Sequence, residues 1–140
     1  MTQLDTRFNW PVRIYWEDTD AGGIVFYANY LKFFERARTE WLRSLGIEQS
    51  RLKDELRGMF VVVAETNVRY IAPARLDDEL TVTARLESAG RASLIIHQQA
   101  LLTSKQLLPI CEGNIKIGWV DVSTLQPKRI PAIILERLNS

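Results

Sequence analysis

EDTDAGGIVFYANYLKFFERARTEWLRSLG, residues Glu17 to Gly46, joins three acidic side chains and a Gly22-Gly23 pair directly to a long helical pattern. That junction decides the fold. Leu31, Phe34, Ala37, Trp41, Leu42 and Leu45 recur at three- and four-residue intervals and share one helical face. Gly46 suits the left-handed residue past the last turn, so the pattern predicts a helix of about 18 residues from near Ala28, about 27 Å long. Such a helix can cross a small sheet.

Before the helix stand Glu17, Asp18 and Asp20, then Gly22 and Gly23, which permit a sharp turn and a close approach of a ligand to the backbone. The amides near Phe26 to Asn29, at the helix start, would point back toward this turn. They carry partial positive charge and can stabilise an oxygen that is becoming negative. A carboxylate beside such amides suits acyl chemistry. Other readings of the same residues exist. Asp18, Asp20 and Gly23 match the opening of a calcium loop, but its twelfth position would be Asn29, residues Ile24 to Tyr27 are apolar, and no helix precedes it. One Gly-Gly pair lacks the spaced glycines of a phosphate cradle, and a solvated acidic loop leading into a helix cap is the plainest reading of all.

Working outward, the chain of 140 residues is 46% hydrophobic and 25% charged, which predicts one domain, residues 1–140, with one core. Its net charge of +1 supplies no bulk field for nucleic acid or an anionic membrane. The amino terminus, with Asp5 and no apolar run, is not that of a secretory signal, and the apolar run Met59 to Ala64 is too short to span a bilayer. Cys111 is the single cysteine, so no internal disulfide can form, which fits a cytoplasmic location.

A first strand is predicted over Arg7 to Trp16, where Phe8, Trp10, Val12, Ile14 and Trp16 alternate with more polar neighbours; Pro11 puts it at an edge or bulge. Ile47 to Gly58 reads as a short polar helix or loop. Phe60 to Ile71 forms the next strand, too apolar at FVVV to be half exposed, and Pro73 ends it. Leu80 to Ser88, Arg91 to Thr103 and Leu107 to Asp121 follow as three strands, the first two joined by a turn at Ala89-Gly90. Ile133 to Leu138 makes a short final helix. The order predicts a segregated α+β fold: a five-stranded antiparallel sheet wrapped around one long central helix. Phe33 beside Phe34 makes both faces of that helix apolar, which predicts association with a second copy.

The stretch IYWEDTDAGGIVFYANYLKFFERARTEWLRSLG resembles the signature of hotdog-fold acyl-CoA thioesterases of the 4-hydroxybenzoyl-CoA thioesterase family. VRYIAPARLDDELTV is similar to a second block of the branch associated with the bacterial Tol-Pal system. The resemblance runs from about Arg13 to Leu138, and it implies a hotdog fold assembled as dimers or tetramers, with the acyl-CoA thioester at the interface between subunits. The family's catalytic aspartate falls on Asp20. Its carbonyl-polarising backbone amide falls on Tyr27, where the Tol-Pal branch commonly carries His and the hydroxybenzoyl relatives Tyr.

The rest of the chain narrows the chemistry. His97 is the only histidine, so a Ser-His or Cys-His mechanism would have to draw on it, with Ser93, Ser104 or Cys111 as nucleophile. It sits in mid-strand with no recognisable nucleophile turn, and one His with one Cys makes no zinc site. No cofactor is expected, coenzyme A being part of the substrate. Its phosphates call for cations, for which Arg91, Lys128 and Arg129 are the candidates, with Gly22 and Gly23 as backbone contacts to the substrate. Arg36 and Arg38 find an internal explanation in Glu40 and Glu35 at helical spacing, and the four tryptophans are assigned to core or interface. An acyl carrier protein is a further expected partner. The competing functions are a non-catalytic acyl-CoA or acyl-carrier binding module linked to the cell envelope, and a hotdog hydratase that would depend on His97.

Overall fold

Long alternating runs in the second half of the chain and one amphipathic run in the first set the architecture. The structure is a computed structural model and describes residues 7–63 and 67–139. In chain order it contains β1 (Phe8–Arg13), a 3-10 turn at Trp16–Asp18, α1 (Asn29–Ser44), α2 (Gln49–Glu55), β2 (Gly58–Val62) and β3 (Asn67–Tyr70). Then come β4 (Glu79–Ala89), β5 (Ser93–Leu102), a 3-10 turn at Thr103–Lys105, β6 (Leu108–Asp121) and α3 (Ala132–Leu138). All strand pairs are antiparallel, in the order β1-β4-β5-β6-β2, with β3 also on β6. Register shifts at Leu86/Ser88 and at Ala100/Leu101 are of the kind that bends a sheet, and the sheet curls toward α1.

The expected five strands are six. Where one strand was predicted over Phe60 to Ile71, β2 and β3 both pair with β6 at different registers. Val62 lies opposite Ile117 and Asn67 opposite Asn114, five steps along one side against three along the other. The surplus of two breaks the ladder. Residues 64–66 of the predicted strand lie outside the described residues.

Helix α1 is 16 residues long and begins one position later than expected, with Ala28 as its cap. It is one of three α-helices among the described residues. Its buried side chains are Tyr30, Phe33, Phe34, Ala37, Arg38, Trp41 and Leu42, packed onto β4, β1 and β5. Leu31, predicted on that face, is 45% exposed, because the buried face is turned toward Tyr30 and Phe33. Opposite lie Val12, Ile14, Leu80, Val82, Ala84, Leu94, Ile96 and Ala100, all buried. Each large side chain taken fully out of water here contributes about 1.5–3 kcal/mol. Gly46 has φ +80°, the left-handed conformation expected after the helix.

β1 is an edge strand, one of the two placements Pro11 pointed to, and is shorter than predicted. Trp16 falls in the 3-10 turn and is 78% exposed, so it leaves the core, whereas Trp41 and Trp119 are buried in it. The opposite edge is formed by β2 and β3, where Val62 and Val63 are 54% and 46% exposed.

Candidate active site

The acidic stretch folds as a tight hairpin that delivers the chain into α1. Thr19 bridges Val25, the Asp20 amide donates to the Ile24 carbonyl at 2.9 Å, and the Phe26 amide donates to the Asp18 carbonyl at 3.2 Å. At the tip, Asp20 Oδ1 accepts the Gly22 amide at 2.8 Å and the Ile24 amide at 3.4 Å. A Cβ on Gly22 would lie 3.3 Å from that oxygen, a tight contact that would push the carboxylate by a few tenths of an ångström. Gly23 turns the chain with φ +77°. Asp20 Oδ2 has no partner among the described residues, and the residue is exposed.

Asp18 does different work. Its Oδ2 accepts the Tyr15 amide at 2.8 Å, and its carbonyl also accepts Asn29 Nδ2 at 2.9 Å, tying the turn to the first residue of α1. Of the four amides expected free at the helix start, Phe26 donates to Asp18 and Asn29 to the Phe26 carbonyl. Among the described residues, the Tyr27 and Ala28 amides make no hydrogen bond. The Tyr27 ring packs against Phe26 at 4.8 Å and edge-on to Tyr70 at 5.7 Å, while Tyr70 also meets Tyr30. Tyr30 is buried, and burial pushes its hydroxyl up to about 12. The Ala74 backbone approaches that hydroxyl without giving it a hydrogen bond of ordinary geometry.

The other chemistry-bearing residues are kept apart. His97 pairs with Asn114 across the outer face of the sheet, its Nδ1 3.0 Å from Asn114 Oδ1. Cys111, three positions along β6, faces the core, and burial pushes its thiol up to about 12. A strand alternates its faces, so His97 and Cys111 lie on opposite sides of the sheet. No Cys-His pair can form. Ser93 lies four residues from His97 at the start of β5, and Ser104 in an exposed turn.

The phosphate candidates sit at the other end of the sheet. Leu80 opposite Leu102 marks the end near the hairpin, and Ala89 opposite Leu94 the end near Arg91, about 30 Å of strand away. Arg91 and Arg129 are exposed. Lys128 Nζ lies 3.7 Å from Asp121 Oδ2 and closes a turn. One chain therefore does not bring Asp20 and these cations together.

With the hairpin, the helix start and the sheet order in place, the match to known proteins is specific: the thioesterase-like superfamily covers residues 14–138. The chain belongs to this superfamily. The acyl-CoA thioester hydrolase YbgC of Escherichia coli O6:H1 is 43% identical over 130 residues, 93% of this chain and 94% of that one. The acyl-CoA thioesterase YbgC of Haemophilus influenzae is 39% identical over 128 residues, 91% of each chain. In structure, 4-hydroxybenzoyl CoA thioesterase from Pseudomonas sp. strain CBS-3 aligns with a TM-score of 0.86 at 21% identity, over 95% of this chain and 99% of that one, which establishes a common fold.

One polar group of this thioesterase-like chain escaped the sequence reading. Arg38, explained there by Glu35, is 9% exposed, and its Nη1 donates to Gln98 Oε1 at 2.9 Å. Gln98 Nε2 in turn donates to the carbonyls of Phe34 at 2.9 Å and Thr83 at 3.1 Å, which fixes the orientation of its amide. Burial lowers the Arg38 pKa, while Glu35 opposes that shift without forming an ion pair. The signal was its spacing: Arg38 stands four residues from both Phe34 and Leu42, on the apolar face.

Proposed function

We propose that this protein hydrolyses acyl-CoA thioesters to the free acid and coenzyme A, with Asp20 as nucleophile or general base and the Tyr27 amide polarising the thioester carbonyl. The observation that carries the reading is the hairpin itself. Two amides hold one oxygen of Asp20 and leave the other without a partner among the described residues, while the unpaired amides of Tyr27 and Ala28 stand just before α1, seven and eight positions on. Membership of the superfamily supplies the reaction class, and the relatives named as acyl-CoA thioester hydrolases agree with it. As a base, Asp20 takes a proton from water as its oxygen attacks the carbonyl carbon; the C–S bond breaks and the proton passes to the departing thiolate. As a nucleophile, it displaces the thiolate to form a mixed anhydride, which water then cleaves. Both routes build negative charge on the carbonyl oxygen, where amides at a helix start stabilise it best. Neither requires a cofactor.

The finer parts of the reading follow from it. One domain spans residues 1–140, and α1 with the curled sheet forms a hotdog arrangement that pairs as a dimer or tetramer in the cytoplasm, in the Tol-Pal branch. A second copy would bring Arg91, Arg129 and the half-engaged Lys128 toward the coenzyme A phosphates, with Gly22 and Gly23 lining the approach to the thioester. An acyl carrier protein offers the same thioester. Thiol release measured over short-chain, long-chain and aromatic acyl-CoAs tests the proposal: hydrolysis of at least one is expected, and binding without thiol release would make the protein a carrier-binding module instead.

A further inference from the structure

Beside α1, away from the hairpin, lies a groove of about 400 Å³ between the helix and β2, lined by Glu35, Arg38, Thr39 and Leu42 on one side and by Phe60 and Val62 on the other. Its chemistry is uneven. Gln49 stands beside the apolar Phe60, Val61, Val62 and Ile117, and the groove contains Arg38, a residue only 9% exposed that makes one hydrogen bond, to Gln98, among the described residues. Gln98 cannot turn away, because its amide nitrogen is held by two backbone carbonyls. The remaining Arg38 donors have no acceptor among the described residues, and Arg38 is one of the residues that line the groove. A buried cation with free forked donors is matched by a carboxylate, which can take two parallel N–H bonds. Glu35 does not fill that role. It lies beyond ion-pair distance of Arg38, at the exposed rim, and accepts the Thr39 hydroxyl at 2.7 Å.

We infer that this groove is a binding site for a small amphiphilic carboxylate, its apolar tail between Leu42, Phe60 and Val62 and its head group on Arg38. A free fatty acid has this chemistry, and Arg38 is the residue that would select the acid over an uncharged analogue of the same shape. Leu31, Glu35, Arg38 and Leu42 fall on one stripe of α1 that begins at the end carrying Tyr27. An acid released by the proposed hydrolysis is one ligand of this chemistry. That link to product rests on the proposed hydrolysis; the binding itself does not.

The test is calorimetric titration of the intact protein with octanoate and with octanamide, without coenzyme A. Octanoate should bind at least about tenfold more tightly, the difference a charge-assisted pair of about 1.5 kcal/mol produces. Arg38→Met should erase the difference. Because that variant removes a buried hydrogen bond, Val62→Trp, placed at an exposed position of the wall, provides an independent block and should also abolish octanoate binding. Asp20→Asn should bind octanoate as the unmodified protein does. Equal binding of the two ligands, or octanoate binding that survives Val62→Trp, overturns the inference. No octanoate binding, together with a change of sedimentation in Val62→Trp, overturns it in favour of a contact between copies. Thiol release by the unmodified protein tests the proposed hydrolysis separately.

Discussion

Asp20 and Asp121 use the same local device and reach different ends. Each stands at a turn and folds one carboxylate oxygen back onto two backbone amides: Gly22 and Ile24 for Asp20, Ser123 and Thr124 for Asp121. At Asp121 the second oxygen meets Lys128, and the amides of Thr124 and then Ser123 hold its carboxyl below the usual range. At Asp20 the second oxygen has no partner among the described residues, and a helix start with two unpaired amides follows within eight positions. Amide contacts alone make a turn. A carboxylate becomes available for chemistry when its other oxygen is left uncommitted.

The contrast is broken most sharply by exchanging charge at both places. Asp20→Asn keeps the shape and should lower kcat by at least about 10²-fold, the lower range for a positioned base, while Asp121→Asn should leave steady-state turnover of an acyl-CoA within about twofold. Comparable losses in the two variants would remove Asp20 from its role. Next in size is Gly22→Val, which would crowd the held oxygen of Asp20 and should reduce kcat about tenfold or more with folding intact by circular dichroism, because catalytic geometry tolerates little displacement. Unchanged kcat would show that the Gly22 contact does not position the carboxylate.

Smaller effects sharpen the comparison. Arg91→Ala should raise KM for acyl-CoA about fivefold, as an exposed charge contact of about 1 kcal/mol gives, with kcat little changed. Lys128→Ala should raise it less, because Asp121 already shares that charge. Added salt should shrink both effects; equal KM values across all three proteins would take the cations out of the site. The smallest effect is a titration. Because the folded pKa of Asp121 is lowered from 3.8, the stability its turn contributes is present above pH 3.8 and is lost as pH falls through the lower folded value. The Ser123 and Thr124 amide resonances should therefore shift with a midpoint below pH 3.8, and a midpoint at or above it contradicts the structure.

What could be read from the sequence depended on how local the cause was. α1, the β4 to β6 meander and the left-handed Gly46 were legible because period, turn residues and caps act within a few positions. The division of β2 from β3 was not, since both halves are apolar and the break is set by where each pairs along β6. Leu31 was put on the apolar helical face, and Trp16 on the alternating face of the first strand as core or interface, by periodicity, which cannot say where an apolar stripe stops facing the sheet. Arg38 was hidden for the opposite reason: a nearby acid explained it, while its partner Gln98 lies 60 residues away. At the candidate site, the resemblance and the neighbouring diglycine singled out Asp20 over Asp18, but not what each carboxylate would bond. Only the fold shows one carboxylate bonded to the Tyr15 amide and the other to its own turn.

The two rims of the sheet also differ, and that limits how the protein can polymerise. On β1, Pro11 has no amide hydrogen to offer an incoming strand, whereas β2 and β3 present a rim with no partner strand among the described residues, with Val62 and Val63 exposed. A ribbon that grows without end needs two receptive rims on every unit. With one, a sheet can accept a single neighbour, and if that neighbour is an identical chain using the same rim, the union is two-fold and terminates itself.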